Sequence, residues 1–255
     1  MARLRFDAIG VPWEIETAEP LDAETAAAVR ARIEAYDLAW SRFRPDSIVA
    51  RIAAGETGLE LPAAEREPLF ALYAALGEAT GGRMSPNAGR ALARLGYGGP
   101  GLDVGAAGKG QLVDLVAAVL ADRGIAAWTV DASGDLRHRG RPIRVALEHP
   151  WDASLAVGVV ELADGAICAS ATNRRRWVDP EGNAVHHVVD ALTGAPVEGI
   201  VASWVVAGGA MTADGVATAL FFTDRIPAAL GAEWVRMDAS GRIERSSGFP
   251  GEVFA

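Results

Sequence analysis

Leu21 to Trp40 limits the folds open to this chain more than any other stretch. Ala26, Val29, Ile33, Tyr36 and Trp40 recur at intervals of three and four, the spacing of one apolar helix face. Asp22 stands where an N-cap belongs, with acids in the turn that follows. An apolar face of that kind has to be covered by a second layer. Elsewhere the pattern shortens to strands: two across 3–17, joined at Gly10-Val11-Pro12, and further ones at 126–130, 143–148, 156–162, 165–170 and 202–207. Helical periodicity returns at 65–81, at 111–120 with Gly124 as its stop, and at 213–222 with Thr212 as its cap. Residues 48–54 make a shorter helical turn. Repeats, low-complexity linkers and a clean domain boundary are all missing.

Charge and composition remove several classes of function. A net charge of −9 gives no basic face with which to displace counterions from nucleic acid. No window reaches the ~18 apolar residues of a membrane span, and the opening Met1–Asp7 lacks the apolar core of a secretory signal. A single cysteine, Cys168, excludes an internal disulfide and fits a reducing compartment. A cytoplasmic protein without nucleic-acid or membrane partners is expected.

Four local patterns carry chemistry. His186-His187-Val188-Val189 reads as a strand that breaks into a turn at Asp190, Thr193, Gly194 and Pro196. On a strand the two imidazoles face opposite ways, so one can enter a cleft while the other supports the sheet. Histidine is the side chain best poised for proton transfer near neutral pH. Gly105-Ala106-Ala107-Gly108-Lys109-Gly110 is a small-residue turn running into a helix, where free N–H groups can approach an anion. It is not a Walker A loop, because Asp103 holds the place of the first glycine and Gly110 that of Ser or Thr. Arg174, Arg175 and Arg176 form either a solvated loop or a phosphate contact. Asp214 and Thr218, four apart, put a carboxylate and a hydroxyl on one helix face. That is a partial site for a hard cation such as Mg²⁺, or else Asp214 only complements the dipole while Thr218 packs.

Taken in order, these segments resemble the ApbE family of FAD:protein FMN transferases over nearly the whole chain. Phe6-Asp7-Ala8-Ile9-Gly10 is similar to the family's opening strand and Met-Gly-Thr. Ser41-Arg42-Phe43-Arg44-Pro45-Asp46-Ser47 is similar to Ser-x-(Phe/Tyr)-x-x-x-Ser. Asp103 to Gly110, continuing to Asp114, resembles Asp-Leu-Gly-Gly-Ile-Ala-Lys-Gly-Tyr-Ala-Val-Asp. Ala132-Ser133-Gly134-Asp135 resembles Ala-Gly-Gly-Asp. His187-Val188-Val189-Asp190 with Thr193-Gly194 resembles His-Ile-(Ile/Leu)-Asp-Pro-x-Thr-Gly, and Ala213 to Ala219 resembles Ala-Asp-x-x-(Ala/Ser)-Thr. The chain departs at Ile9 (for Met), Ser85 (for Asp), Gln111 (for Tyr) and Ala191 (for Pro).

The resemblance implies Mg²⁺-dependent transfer of FMN from FAD to a Ser or Thr hydroxyl of an acceptor protein, with AMP leaving. It also leaves room for FAD hydrolysis to FMN and AMP, or for FAD binding without turnover. By position, Asp214, Thr218 and the Ala106 carbonyl would hold the metal and His187 would be the general base. Phe43, Ser85, Asp103, Lys109 and Val188 would line the FAD site. The expected architecture is α+β: mixed or antiparallel sheets flanked by helices, in one two-lobed domain over 1–255 with the site between the lobes.

Overall fold

The helix expected at 21–40 forms as α1 (Ala23–Trp40) in the computed structural model, which describes residues 1–254. Its start is fixed as the sequence suggests, the Asp22 carboxylate accepting from the Thr25 N–H at 2.6 Å. Val29, Ile33, Tyr36 and Trp40 are all buried. α2 (Ile48–Ala53) follows, capped by the Ser47 hydroxyl, and then α3 (Ala63–Ala79). After a 3₁₀ turn at Pro86–Ala88 come α4 (Gly89–Arg94), α5 (Gly108–Asp122) and, much later, α6 (Ala210–Ala219).

The strands are β1 (Ala2–Ala8), β2 (Val11–Thr17), β3 (Trp128–Asp131), β4 (Asp135–His149), β5 (Asp152–Ala171), β6 (Arg176–Val178), β7 (Ala184–His186), β8 (Ile200–Ala207), β9 (Glu233–Asp238), β10 (Ile243–Arg245) and β11 (Gly251–Val253). Nine of them make one sheet in the order β1-β2-β3-β4-β5-β8-β9-β10, with β11 on β5; β6 and β7 form a separate ribbon. Every ladder is antiparallel, which resolves the expectation of mixed or antiparallel sheets. Among the described residues no helix is long and apolar enough to cross a membrane.

Several boundaries differ from the sequence reading. The strands expected at 156–162 and 165–170 are one strand, β5, because Gly165 at φ 148° passes through the ladder without ending it. The strand expected at 143–148 begins earlier, at Asp135, and a register shift between Arg139 and Ile143 bends it. The first hairpin turns at Ile9-Gly10, not at Gly10-Val11-Pro12, since both residues adopt positive φ and Val11 and Pro12 already pair. The His-His strand ends at His186; beyond it only Val189 bridges, to Pro196.

Two main apolar clusters result. The larger lies between α1, α3, α5 and α6 and the sheet, around Trp13, Val29, Leu69, Leu112, Val116, Val205 and Val216. The second joins the far halves of β4 and β5 to β8 and β9 through Leu147, Val160, Trp204, Val235 and Met237. A third, small cluster of Ala91, Leu92 and Val189 ties α4 to the chain after β7.

Candidate active site

A cavity of about 830 Å³ opens where α1, the loop before α5, α6 and the chain after β7 meet. That is large enough for a substantial small molecule, whose sites run to ~300–1,000 Å³. His187, Phe43, Ser85, Asp103, Lys109, Val188, Ala106, Asp214 and Thr218 all line it. Residues up to 175 apart in sequence are therefore brought to one space.

One wall comes from the crossing of α5 and α6. α5 begins at Gly108, three residues before the start expected at Gln111, so Lys109 rides on its first turn. α6 begins at Ala210, and Gly209, not Thr212, is its cap. Asp114 of α5 replaces a local cap by accepting from the N–H groups of Ala210 and Met211, each at 2.9 Å. In return the Asp214 carboxylate of α6 accepts from Gly110 N–H of α5 at 2.9 Å. The helices close to this distance because residue 110 has no side chain: a Cβ there would lie 2.2 Å from the Ala210 carbonyl oxygen. One turn on from Asp214, the Thr218 hydroxyl reaches the Ala106 carbonyl at 3.4 Å.

This wall differs from the anion loop considered above. Gly105 N–H donates to Asp103, those of Ala107 and Gly108 to the Val104 carbonyl, and that of Gly110 to Asp214. The turn thus spends these amides on its own fold. Its outward chemistry is that of oxygen acceptors instead: a carbonyl, a hydroxyl and a carboxylate.

The electrostatics agree. Burial, and then the neighbouring Asp135 carboxylate, push Asp214 well above the usual carboxylate range, while Lys109 and the Gly110 N–H pull the other way. Lys109 Nζ contacts Asp135 at 2.6 Å and donates to the Ala132 carbonyl at 3.0 Å. Burial opposes its charge, but Asp135 and Asp214 more than offset this and hold its pKa above the ordinary lysine value. Two acids against one ammonium leave this buried corner short of positive charge. An all-oxygen donor set that favours added positive charge fits a hard divalent cation. Among the described residues no group of three or more His, Cys, Asp and Glu side chains gathers as a metal site, so a cation here would depend on the carbonyl and the hydroxyl.

The imidazole of His187 lines the same cavity. Burial, and then the Arg175 guanidinium, bring the His187 pKa down to about 4, against a smaller opposing pull from the Arg175 backbone carbonyl. Its Nδ1 is buried without a hydrogen-bond partner. His186, the last residue of β7, lies off the cavity and holds the Val197 carbonyl at 3.0 Å, while His187 enters the cavity from beyond the strand's end, where strand alternation no longer applies.

Aromatic and cationic groups form the rim. Phe43 is 56% exposed, meets Tyr97 edge-on at 5.2 Å, and lies beside the Arg42 guanidinium. Tyr97 stacks on Trp177, and Arg175 donates to the Tyr97 hydroxyl at 3.0 Å. Arg42 is buried on the cavity wall: its Nε donates to Asp103 at 2.6 Å, Nη1 reaches the Tyr97 and Gly99 carbonyls, and Nη2 has no partner. Asp103 is thereby engaged with Arg42 and Gly105, and Ser85 accepts from Asn87 N–H as the cap of the 3₁₀ turn.

Arg42, Tyr97 and Asp135 were not singled out by sequence reasoning. Arg42 and Asp135 stand inside quoted motifs, which was the available signal; nothing local marks Tyr97. Of the arginine run, Arg174 and Arg175 line the cavity. Ile9 (φ 48°) and Ser133 (φ 56°) are the non-glycine residues in left-handed backbone among those described, and both line it too. Strain of this kind is held where the surroundings fix it, typically at sites.

Comparison with known proteins bears on the family and the fold. The model of the ApbE family matches residues 97–238. The FAD:protein FMN transferase of Rhodobacter capsulatus is 34% identical over 123 residues, 47% of this chain and 23% of that protein. That of Salmonella typhimurium is 33% identical over 125 residues, again 47% of this chain and 36% of the relative. The matched part thus spans between about a quarter and just over a third of these relatives. Two solved structures share the fold over 97% of both chains: the ApbE protein of Thermotoga maritima (TM-score 0.82, 22% identity) and the flavin transferase ApbE of Vibrio cholerae (TM-score 0.80, 20% identity).

Proposed function

The chain belongs to the ApbE family, and from that membership we propose that it transfers FMN from FAD to a Ser or Thr hydroxyl of an acceptor protein, releasing AMP. One observation supports this reading. The same cavity is lined by an oxygen donor set, Asp214, Thr218 and the Ala106 carbonyl, and by an imidazole, His187, whose Nδ1 has no hydrogen-bond partner. FAD hydrolysis and passive binding would use the same cavity, and the test below separates them.

In this reading FAD lies with its flavin toward Phe43, Val188 and Ser85 and its diphosphate toward Lys109. Asp214, Thr218 and the Ala106 carbonyl would hold Mg²⁺, which when bound supplies Lewis-acid stabilisation of charge at the diphosphate. Lys109 is kept protonated by its acid neighbours, so it offers a fixed positive charge to the leaving AMP side. Asp103, bonded to Arg42 and Gly105, keeps the loop before α5 in place. His187 is neutral across the neutral pH range and takes the acceptor hydroxyl proton as the new O–P bond forms and the P–O bond to AMP breaks. A buried imidazole with Nδ1 left free to take a proton favours turnover over storage of flavin, since a protein that only binds needs no base.

Incubation with FAD, Mg²⁺ and a library of Thr- and Ser-containing peptides distinguishes the alternatives. Covalent flavin on a peptide supports transfer. Free FMN with AMP and no flavinylated peptide supports hydrolysis, and unchanged FAD supports binding alone.

A further inference from the structure

Asp135 is the acid at this site that no substrate would touch. It opens β4 opposite Cys168 on β5, is 0% exposed, and stands behind the cavity lining. Its one counter-charge is the Lys109 ammonium, which contacts Oδ2 at 2.6 Å, and Oδ1 is buried without a neutral donor to satisfy it. Asp214 adjoins it on the cavity side. A buried carboxylate with so little compensation is costly, and a well-packed apolar residue would serve a strand start better. The arrangement makes sense if the charge itself is used.

We propose that Asp135 is a positioning residue, holding Lys109 at the cavity wall and supplying the second negative charge that lets Asp214 and Thr218 bind a divalent cation. Lys109 has three N–H donors. One goes to the Ala132 carbonyl and another faces Asp135, so the ammonium is fixed in place with one donor left over. Two carboxyl groups beside one lysine leave the buried space able to take up further positive charge. The other acids of the cavity wall, Asp37 and Asp103, are paired separately with Arg44 and Arg42. Groups placed behind the direct ligands of a metal commonly change its affinity by ~10–100-fold. The inference rests on the cation reading of Asp214 and Thr218.

The test is calorimetric titration of the full chain with Mn²⁺ in the absence of FAD, alongside melting of the metal-free protein. The parent should bind one ion and Asp214→Asn none. Asp135→Asn, nearly isosteric, should bind about 10–100-fold more weakly while its metal-free Tm stays within about 3 °C of the parent. In case Asp135→Asn folds poorly, the double variant Lys109→Met/Asp135→Leu replaces the ion pair by apolar groups. It should fold with a Tm at or above the parent and still lack high Mn²⁺ affinity. FAD affinity should fall no further in Lys109→Met/Asp135→Asn than in Lys109→Met alone. Unchanged Mn²⁺ affinity in Asp135→Asn overturns the proposal, as does a loss of affinity that merely follows a large drop in Tm. A parent that binds no Mn²⁺ removes the cation reading itself, a distinguishable failure.

Discussion

His187 shows how little of a residue's role lies in its type. Its neighbour His186, of identical chemistry, is spent on the Val197 carbonyl. Burial and Arg175 keep His187 unprotonated until about pH 4. Two outcomes follow. His187→Ala should slow transfer by ~10²–10⁴-fold and leave FAD affinity nearly unchanged in equilibrium binding; equal losses in both would mean that the ring only binds. The acid limb of kcat/KM should fall near pH 4, and a limb near 6.5 would show an imidazole titrating freely. Stability should move in the same sense. The folded pKa lies below the unfolded value, so the unfolded chain binds the proton first and stability is lost as pH falls from about 6.5 toward 4. That slope should be shallower for His187→Ala in pH-dependent melting. Ser133 makes a different point. At φ 56° it occupies a conformation that glycine adopts without penalty. Ser133→Gly should therefore stabilise the protein by about 0.5–1 kcal/mol, seen as a rise in Tm of a few degrees.

At the scale of elements, the site depends on two helices that cap each other. Asp114 closes the start of α6 and Asp214 closes that of α5. Asp114→Ala should cost about 1–2 kcal/mol and weaken cation binding as well, because Asp214 and Thr218 ride on the helix it fixes. A variant that melts earlier but binds Mn²⁺ like the parent would separate the two effects. Asp214→Asn keeps an oxygen for the Gly110 N–H, so it should lose the cation with a smaller change in Tm than Asp214→Ala. These ties were not readable in the sequence. The Asp114–Ala210 and Gly110–Asp214 contacts join residues about a hundred apart, whereas cap rules look only a few residues ahead. For that reason Thr212 looked like a cap and Gln111 like a helix start. α1, with Asp22 and its apolar spacing all local, was legible almost to the residue.

For the whole molecule, periodicity placed the long helices and the sheet strands as far as Ala207, but not α4, β6 or β9 to β11, and the order of short motifs was enough to anticipate which residues line one cavity. It was not enough to find Tyr97, which reaches the site through α4 and its stack on Trp177, or the burial that makes Asp135 consequential. Both depend on how β4, β5 and the β6–β7 ribbon are laid against the helices, which no window of sequence contains. What the assembled cavity is proposed to do is move one phosphoryl-linked group between two partners without losing it to water. The most direct test is a single-turnover reaction with FAD, Mg²⁺ and a peptide acceptor identified in the library, counting AMP and flavinylated peptide together by mass spectrometry. Equal amounts of the two, both abolished by Asp214→Asn, are the expected result. AMP accompanied by free FMN in place of flavinylated peptide would contradict the account.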